Sequence, residues 1–282
     1  MKQFNFHEAK SVKEAVKAAT KKSAFLSGGQ TLIPSLKMRL SSFDDIINVK
    51  NIKDLQGIKV SGKTVKIGAA TKHAEVAASK DVKKAIPSLV TLAGGIGDMQ
   101  VRNKGTIGGS IANNDPSACY PSACIALNAT IHTSDRKIEA SKFFKGMFET
   151  ALKKGELIQA VEFKVPDKSC YVKFPNPASR YAIVGIYVAK YKKEVNVAVT
   201  GVESVVFRCK KIESALKSNF SSSAIDGVKI SSSGFNSDIL LKFVSAGTTV
   251  NFVFKLEKFL KIFFLQPKSK TTTWYLCSSF LL

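Results

Sequence analysis

Two short segments carry residue types that could hold an anion: Ser27-Gly28-Gly29-Gln30-Thr31 and Thr106-Ile107-Gly108-Gly109-Ser110. Paired glycines let a backbone approach a ligand closely and turn successive N–H groups into one concavity, a nest for negative charge. The hydroxyls of Ser27, Thr31, Thr106 and Ser110 add donors. After the first segment helical spacing resumes at Leu32, which sets a helix N-terminus and its dipole beside the turn. Two such turns facing each other could grip a diphosphate from both sides. Taken singly, a Gly-Gly turn is more often only a turn. Neither segment fits the dinucleotide fingerprint G-x-G-x-x-G or the P-loop, which argues against a Rossmann or kinase-like nucleotide site.

Other chemistry is sparse. His7, His73 and His132 stand far apart without ligand spacing, which argues against zinc. Cys119 and Cys124 lack the further cysteines an iron–sulfur cluster needs and read as two partly buried free thiols. No G-x-S-x-G elbow occurs. No catalytic side chain and no metal ligand set is therefore assigned, and a bound cofactor would have to carry any reaction.

The elements that must position the two turns read as follows. Residues 11–22 form an amphipathic helix capped by Ser11, with Glu14 completing a capping box. Ala24–Leu26 is a short strand, and residues 32–40 return to helical spacing. Asp45–Val49 is a strand, and residues 55–60 and 64–69 form a hairpin turning at Ser61-Gly62-Lys63. Residues 71–78 and 80–93 look helical, and 123–131 and 156–165 are further elements. Pro166 to Pro177 reads as loop-rich and marks a domain boundary. Residues 180–191 and 195–202 read as an antiparallel pair, followed by a helix over 210–217. Short strands, hairpins and segregated helices point to an α+β fold rather than a doubly wound parallel sheet.

Composition bounds the rest. The chain has 282 residues, 45% hydrophobic and 23% charged, which suits a globular protein of one or two domains. No apolar run is long enough for a membrane span, and the first ten residues lack the apolar region of a signal peptide. Five cysteines without a C-x-x-C pair fit a reducing, cytoplasmic setting. The net charge of +22 raises the alternative of a nucleic-acid partner. Against it, only five of the 43 basic residues are Arg, and the lysines form no basic stripe interleaved with aromatics. Residues 240–282 change character, with seven of the 19 Phe, eight Leu and Glu257 as the single acid. That stretch reads as an interfacial helix, giving at most peripheral contact at the inner face of a membrane, or as an altered C-terminus.

Placed together, Leu26-Ser27-Gly28-Gly29-Gln30-Thr31-Leu32-Ile33-Pro34 and Val101–Pro116, about eighty residues apart, resemble the FAD-binding medium subunits of molybdenum hydroxylases. The medium subunits of aerobic carbon monoxide dehydrogenase type are the nearer relatives, and the flavin domain of xanthine dehydrogenase is a more distant one. Phe148–Leu152, Phe174–Ala182 and Ala198–Gly201 match as well, and the resemblance covers roughly residues 3 to 239. It implies a two-lobed FAD-binding domain of the vanillyl-alcohol-oxidase (PCMH) type over residues 1–168, with lobes of about 1–57 and 58–168. A smaller C-terminal α+β domain over 169–239 follows, and then the atypical tail. It implies that Phe25 to Leu32 and Thr106 to Ser110 wrap the FAD pyrophosphate and ribityl chain. Ile96 would lie against the flavin, Ile158 near the adenine, and Asn113, Asp115 and Lys173 within reach of the cofactor. Core packing for the two isoleucines and a surface place for the lysine are the ordinary readings beside these.

The same resemblance implies partners: a small subunit with two [2Fe–2S] clusters and a large subunit with a molybdopterin cofactor, joined in a heterotrimer that dimerises. Electrons would pass through this FAD to a quinone or NAD. A stand-alone FAD oxidoreductase of the same fold is the alternative; it would need a catalytic base that the sequence does not offer. Two positions depart from the family. Cys119 stands where an acidic residue usually bonds ribose hydroxyls, and a thiol is a poor replacement for a carboxylate acceptor. The match also stops at Ile239, and the Phe/Leu/Lys-rich stretch beyond it reads as a change of reading frame in an A/T-rich gene.

Overall fold

A computed structural model describes residues 1–226 and 228; the tail over 240–282, with its frame-change reading, lies outside the described residues. The first sheet comprises β1 (Asn5–Glu8), β2 (Ser23–Leu26) and β3 (Asp45–Asn48) in the order β1-β3-β2, with both pairings parallel. Parallel neighbours need crossovers. Helix α1 (Val12–Ala18) and helix α2 (Leu32–Lys37) supply them. Ser11 caps α1 by accepting from the Glu14 N–H at 3.2 Å, and the Glu14 carboxylate accepts from the Lys10 N–H at 2.9 Å. This part is the one place where the expected hairpin-rich character gives way to parallel pairing. Ala9, Ala15, Ile47, Val49, Ile52 and Leu55 form its small core.

The second sheet runs β4-β5-β10-β6-β7, from β4 (Ile58–Ser61), β5 (Thr64–Gly68), β6 (Thr130–Thr133), β7 (Lys137–Glu139) and β10 (Ile158–Lys164), all antiparallel. Between β5 and β10 the chain forms α3 (His73–Ala78), α4 (Lys80–Ala85), α5 (Pro87–Gly94), α6 (Met99–Lys104), α7 (Ile107–Asn113), α8 (Tyr120–Ala126) and α9 (Ala140–Phe143); α4, α7 and α9 pack on this sheet, α3, α5 and α6 on one another, and α8 chiefly on the third sheet. The long helix expected over 80–93 is broken at Ile86, because Pro87 opens α5 and has no N–H to continue α4. Helix α7 stands where the sequence suggests only a glycine turn. Its Gly, Ser and Asn content argues against a helix by propensity, but Thr106 caps it by accepting from the Gly109 N–H at 3.2 Å. Among the described residues no helix is long and apolar enough to cross a membrane.

The third sheet runs β11-β12-β13-β14, from β11 (Lys168–Pro175), β12 (Ala182–Lys190), β13 (Val195–Thr200) and β14 (Phe207–Arg208). Strand β11 corrects the loop expected over Pro166–Pro177: its apolar residues pair in register with β12, from Lys168 opposite Lys190 to Phe174 opposite Val184. Alternation decides which layer each side chain joins. Val184, Ile186 and Val188 pack with α10 (Lys210–Ser218), while Tyr187 and Ala189 face the core shared with the second sheet. The buried Tyr187 hydroxyl is bonded to Ser88 Oγ at 2.6 Å, and Ser88 to Ser169 Oγ at 2.6 Å.

Two buried polar groups tie these parts together. Asn114 ends α7 in the left-handed region (φ 44°), which Asn tolerates better than most residues. Its Nδ2 donates to the Gly146 carbonyl at 2.7 Å and to the Glu149 carbonyl at 2.8 Å, pinning the small hairpin of β8 (Phe144–Gly146) and β9 (Glu149–Thr150) to the helix end. Glu156 is the second. Its side chain is fully buried and takes Arg136 Nε at 3.0 Å, Arg136 Nη2 at 3.1 Å, the Thr133 hydroxyl at 2.7 Å and the Lys153 N–H at 2.8 Å. Burial alone raises the carboxyl pKa; the Arg136 guanidinium and the two neutral donors outweigh it and bring it from 4.5 down to about 2.

Replacing Asn114 with Ala removes two buried bonds and the left-handed preference. We expect a loss of about 2–3 kcal/mol in urea unfolding, with Asn114→Asp, which keeps the turn but not the donors, also destabilised. For Glu156 the folded pKa lies below the unfolded value. Its contribution is therefore complete above about pH 4.5 and lost as pH falls toward 2. Glu156→Gln lowers stability at pH 7 and flattens the fall between pH 5 and 2; an unchanged acid limb in the Gln variant would remove this group as its cause.

Candidate functional site

The two glycine turns meet. Ser27 Oγ and Thr106 Oγ1 are 3.0 Å apart and share a hydrogen bond across 79 positions of sequence. A Cβ on Gly28 would stand 2.3 Å from the Lys104 carbonyl oxygen and 2.6 Å from Gly105 Cα, so the approach is possible only for glycine. Gly29 sits at φ +69°, a second backbone requirement. Behind the second turn, the Ile107 N–H donates to the Thr71 carbonyl at 3.2 Å and the Gly108 N–H to the Ala69 carbonyl at 2.9 Å. A Cβ on Gly108 would fall 2.6 Å from Ala69 Cβ, which explains the glycine as a packing requirement against the end of β5.

These bonds divide the roles of the two turns. In the second, the N–H groups of Ile107, Gly108, Gly109 and Ser110 are all spent within the protein. It is a wall rather than the nest its sequence suggests. In the first, no backbone or side-chain acceptor within the described residues takes the N–H of Gly28, Gly29, Gln30 or Thr31. Helix α2 spans six residues, so these amides rather than its dipole are what an anion would meet. Gln30 is exposed, and its Nε2 donates to the Gly28 carbonyl at 3.1 Å, which stiffens the turn.

A cleft of about 470 Å³ opens between the turns. Phe25 and Ser27 line it, together with Gly108, Gly109 and Ala112 of the second turn and helix α7, and Leu157 and Ile158. Val49, Leu55, Ala69, Ala70, Leu152 and Glu156 complete the lining. Gly109, Ala112 and Asn113 share the outward face of α7 at i, i+3 and i+4, opposite the buried Ile107, Gly108 and Ile111. Gly109 is exposed, and the atom nearest a Cβ there would be the cap hydroxyl of Thr106 at 3.2 Å, so the missing side chain leaves the cleft open. Leu26 and Leu32 are half-buried at either end of the first turn, Thr31 is exposed, and Ser110 is half-buried on α7. The cleft's lining is apolar apart from Ser27 and Glu156, and the unpaired amides of residues 28–31 follow Ser27 directly in the chain, a combination that suits an anion beside an apolar ring.

The remaining candidates form a second group. Lys173 Nζ donates to the Gly95 carbonyl, to the Arg180 carbonyl at 3.1 Å and to Cys119 Sγ at 3.7 Å. It is thus a built-in clasp rather than a loose surface lysine. Ile96 follows Gly95 in the chain and is half-buried, and its carbonyl accepts from Arg102 Nη1 at 3.1 Å. Asp115 Oδ1 accepts from the Ser117 N–H at 2.8 Å. Tyr181 is half-exposed; burial of its ring raises the phenol pKa, and nearby Asp115 and Cys119 raise it further. The 470 Å³ cleft is lined by neither Cys119, Lys173 nor Ile96.

The sequence reading missed residues that hold this arrangement. Arg102 braces the Ile96–Gly97 turn. His73 is 4% exposed and lies under Gly105, where a Cβ would come 2.8 Å from its Nε2. Burial lowers its pKa to about 4, so it is neutral at pH 7, tilted against Tyr120 with ring centroids 5.4 Å apart. Thr200 donates to the Pro116 carbonyl at 2.6 Å and lies 2.9 Å from that of Ala118, setting the backbone that leads into Cys119. His73 and Thr200 have no local signal, since each acts through residues distant in sequence, whereas Arg102 acts within six residues.

Comparisons with known proteins agree with the geometry. The model of the FAD-binding domain in molybdopterin dehydrogenase matches residues 2–167. The glyceraldehyde dehydrogenase medium chain of Sulfolobus acidocaldarius is 38% identical over 224 residues, covering 75% of this chain and 80% of that one. The carbon monoxide dehydrogenase medium chain of Hydrogenophaga pseudoflava is 32% identical over 222 residues, covering 73% and 77%. Among solved structures, a carbon monoxide dehydrogenase from Hydrogenophaga pseudoflava superposes with a TM-score of 0.77 at 27% identity, over 92% of this chain and 96% of that one. The chain therefore belongs to the FAD-binding domain family of molybdopterin dehydrogenases, and is a flavoprotein subunit of an oxidoreductase.

Proposed function

We propose that this chain is the electron-transfer medium subunit of a molybdenum hydroxylase. It receives electrons from the [2Fe–2S] clusters of a small subunit, fed in turn by a molybdopterin-bearing large subunit, and delivers them to a quinone or NAD. The observation that carries this reading is the Ser27–Thr106 contact, which joins two glycine turns around one cleft. Relatives named as medium chains of multi-subunit dehydrogenases support the partnership. Their substrates differ by name, which fits a substrate chosen on another chain. The carbon monoxide dehydrogenase type is our proposal for the assembly, a dimerised heterotrimer, and not for the substrate, since the higher identity is with a glyceraldehyde enzyme. Four free cysteines among the described residues accord with a reducing cytoplasm.

Bound flavin would supply the electron-transfer chemistry. The protein's part is to hold it and keep water out. We assign the open amides of residues 28–31 and the hydroxyls of Ser27 and Thr106 to the pyrophosphate. The bare face of Gly109 and Ser110 gives passage to the ribityl chain, and Leu157 and Ile158 cover the adenine. Ile96 and Lys173 are assigned to the flavin end, with Asn113, Asp115 and Cys119 toward sugar hydroxyls. We further read residues 1–57 and 58–168 as the two lobes of a vanillyl-alcohol-oxidase type domain, and 169–239 as the C-terminal domain. Support comes from the sheets: the first ends at Asn48, the second spans Ile58 to Lys164, and the third starts at Lys168.

The chain, purified and supplied with FAD, should turn yellow with absorption near ~450 nm. It should co-purify with iron–sulfur and molybdopterin partners when their genes are expressed with it; flavin uptake without any such partner would favour a stand-alone oxidoreductase, and no uptake at all would overturn both readings. Cys119→Asp restores a carboxylate acceptor and should strengthen FAD retention by about 1–3 kcal/mol. Equal or weaker retention on gel filtration would take Cys119 out of the binding site.

A further inference from the structure

We propose that Cys119 is a site of reversible oxidation by hydroperoxides, at which the thiol becomes a sulfenic acid and the new oxygen is received by Lys173 and Tyr171. The inference concerns the chain before flavin binds, because the proposed function places Cys119 and Lys173 toward the cofactor. Three observations meet at this sulfur. The first is the Lys173 ammonium at 3.7 Å, fixed in place by the Gly95 and Arg180 carbonyls. The second is the Tyr171 hydroxyl. Tyr171 is 3% exposed, its ring tilted against Tyr187 with centroids 5.9 Å apart, and its hydroxyl lies against the Cys119 thiol. Apart from that thiol, the hydroxyl finds no hydrogen-bond partner within the described residues. It is pressed toward Gly185, where a Cβ would come within 2.8 Å of it. Buried hydroxyls are almost always bonded, and a thiol is a weak acceptor, so an oxygen placed on this sulfur would give the Tyr171 hydroxyl a stronger one.

The third observation is contrast. Cys124, Cys170 and Cys209 are also buried and free. Burial pushes the thiols of Cys124 and Cys209 up and that of Cys170 to about 12, which withholds the anionic sulfur that attacks peroxides. At Cys119 the ammonium and the Tyr171 hydroxyl are a charged and a neutral donor for one oxygen atom. The exposed loop Ser179-Arg180-Tyr181 borders the clasp.

The step balances as Cys–SH + ROOH → Cys–SOH + ROH. An S–O bond forms as the O–O bond breaks; sulfur gives up two electrons, and the thiol proton ends on one of the product oxygens. Two equivalents of a small thiol reverse it, giving Cys–SH, a disulfide and water.

The test uses the full chain. After a pulse of hydrogen peroxide, dimedone traps sulfenic acid and peptide mapping locates it. We expect label on Cys119 at peroxide levels that leave Cys124, Cys170 and Cys209 unlabelled. Label should be lost after thiol treatment before dimedone, and should fall several-fold in Lys173→Met and in Tyr171→Phe. Cys119 left unlabelled in the native protein, or labelled no earlier than the other three, overturns the proposal. So does label that is unchanged in both variants. If either variant fails to fold, the order of labelling in the unaltered chain decides alone.

Discussion

The structure depends on a backbone contact that tolerates no side chain. Gly28 rests on the Lys104 carbonyl and on Gly105, and the Ser27–Thr106 hydroxyl pair closes the same junction. Everything useful follows from it. Because the turns touch, Ser27 of one and Gly108 and Gly109 of the other line a single cleft. The second turn can be fixed because α7 has spent its own first N–H groups on the Ala69 and Thr71 carbonyls. One turn is held rigid by internal bonds, and the other keeps its donors for a ligand.

The division explains why two similar sequences do different work. Ser27-Gly28-Gly29 follows a strand and turns through a positive φ, leaving its amides unpaired. Thr106-Ile107-Gly108-Gly109 opens a helix, so its glycines serve close packing and an unobstructed surface. A nest and a wall can share a composition, because glycine answers both the demand for an unusual dihedral and the demand for no side chain.

Much of this was legible in the sequence, and the exceptions have physical causes. The strands and the capped first helix announce themselves by period and by Ser11, and the joint pattern of the two turns carries the family. What was not legible acts at long range. The parallel first sheet depends on which strands meet rather than on any one strand. Helix α7 runs against its residues' propensities and exists because of its cap and the strand end beneath it. Strand β11 was hidden among prolines and lysines, since only its register with β12 makes it a strand. Lys173 could be listed as a candidate, but its clasp on Gly95, Arg180 and Cys119 joins positions 54 and 78 residues apart and could not.

The third sheet imposes one further condition. Its central strands are sandwiched, with valines and Ile186 against α10 and Tyr187 in the opposite layer beneath Ser88. Sliding β12 by a single residue would exchange the two layers, sending the phenol into a valine stack and leaving two serines without their partner. The strand therefore has one admissible alignment. A length change in the turn at residues 191–194 can be absorbed only within that turn, whereas a lone insertion inside residues 182–190 would invert every contact downstream of it. The sheet behaves as a ratchet with a single tooth, and the rigidity of Lys173 on its outer strand is inherited from that.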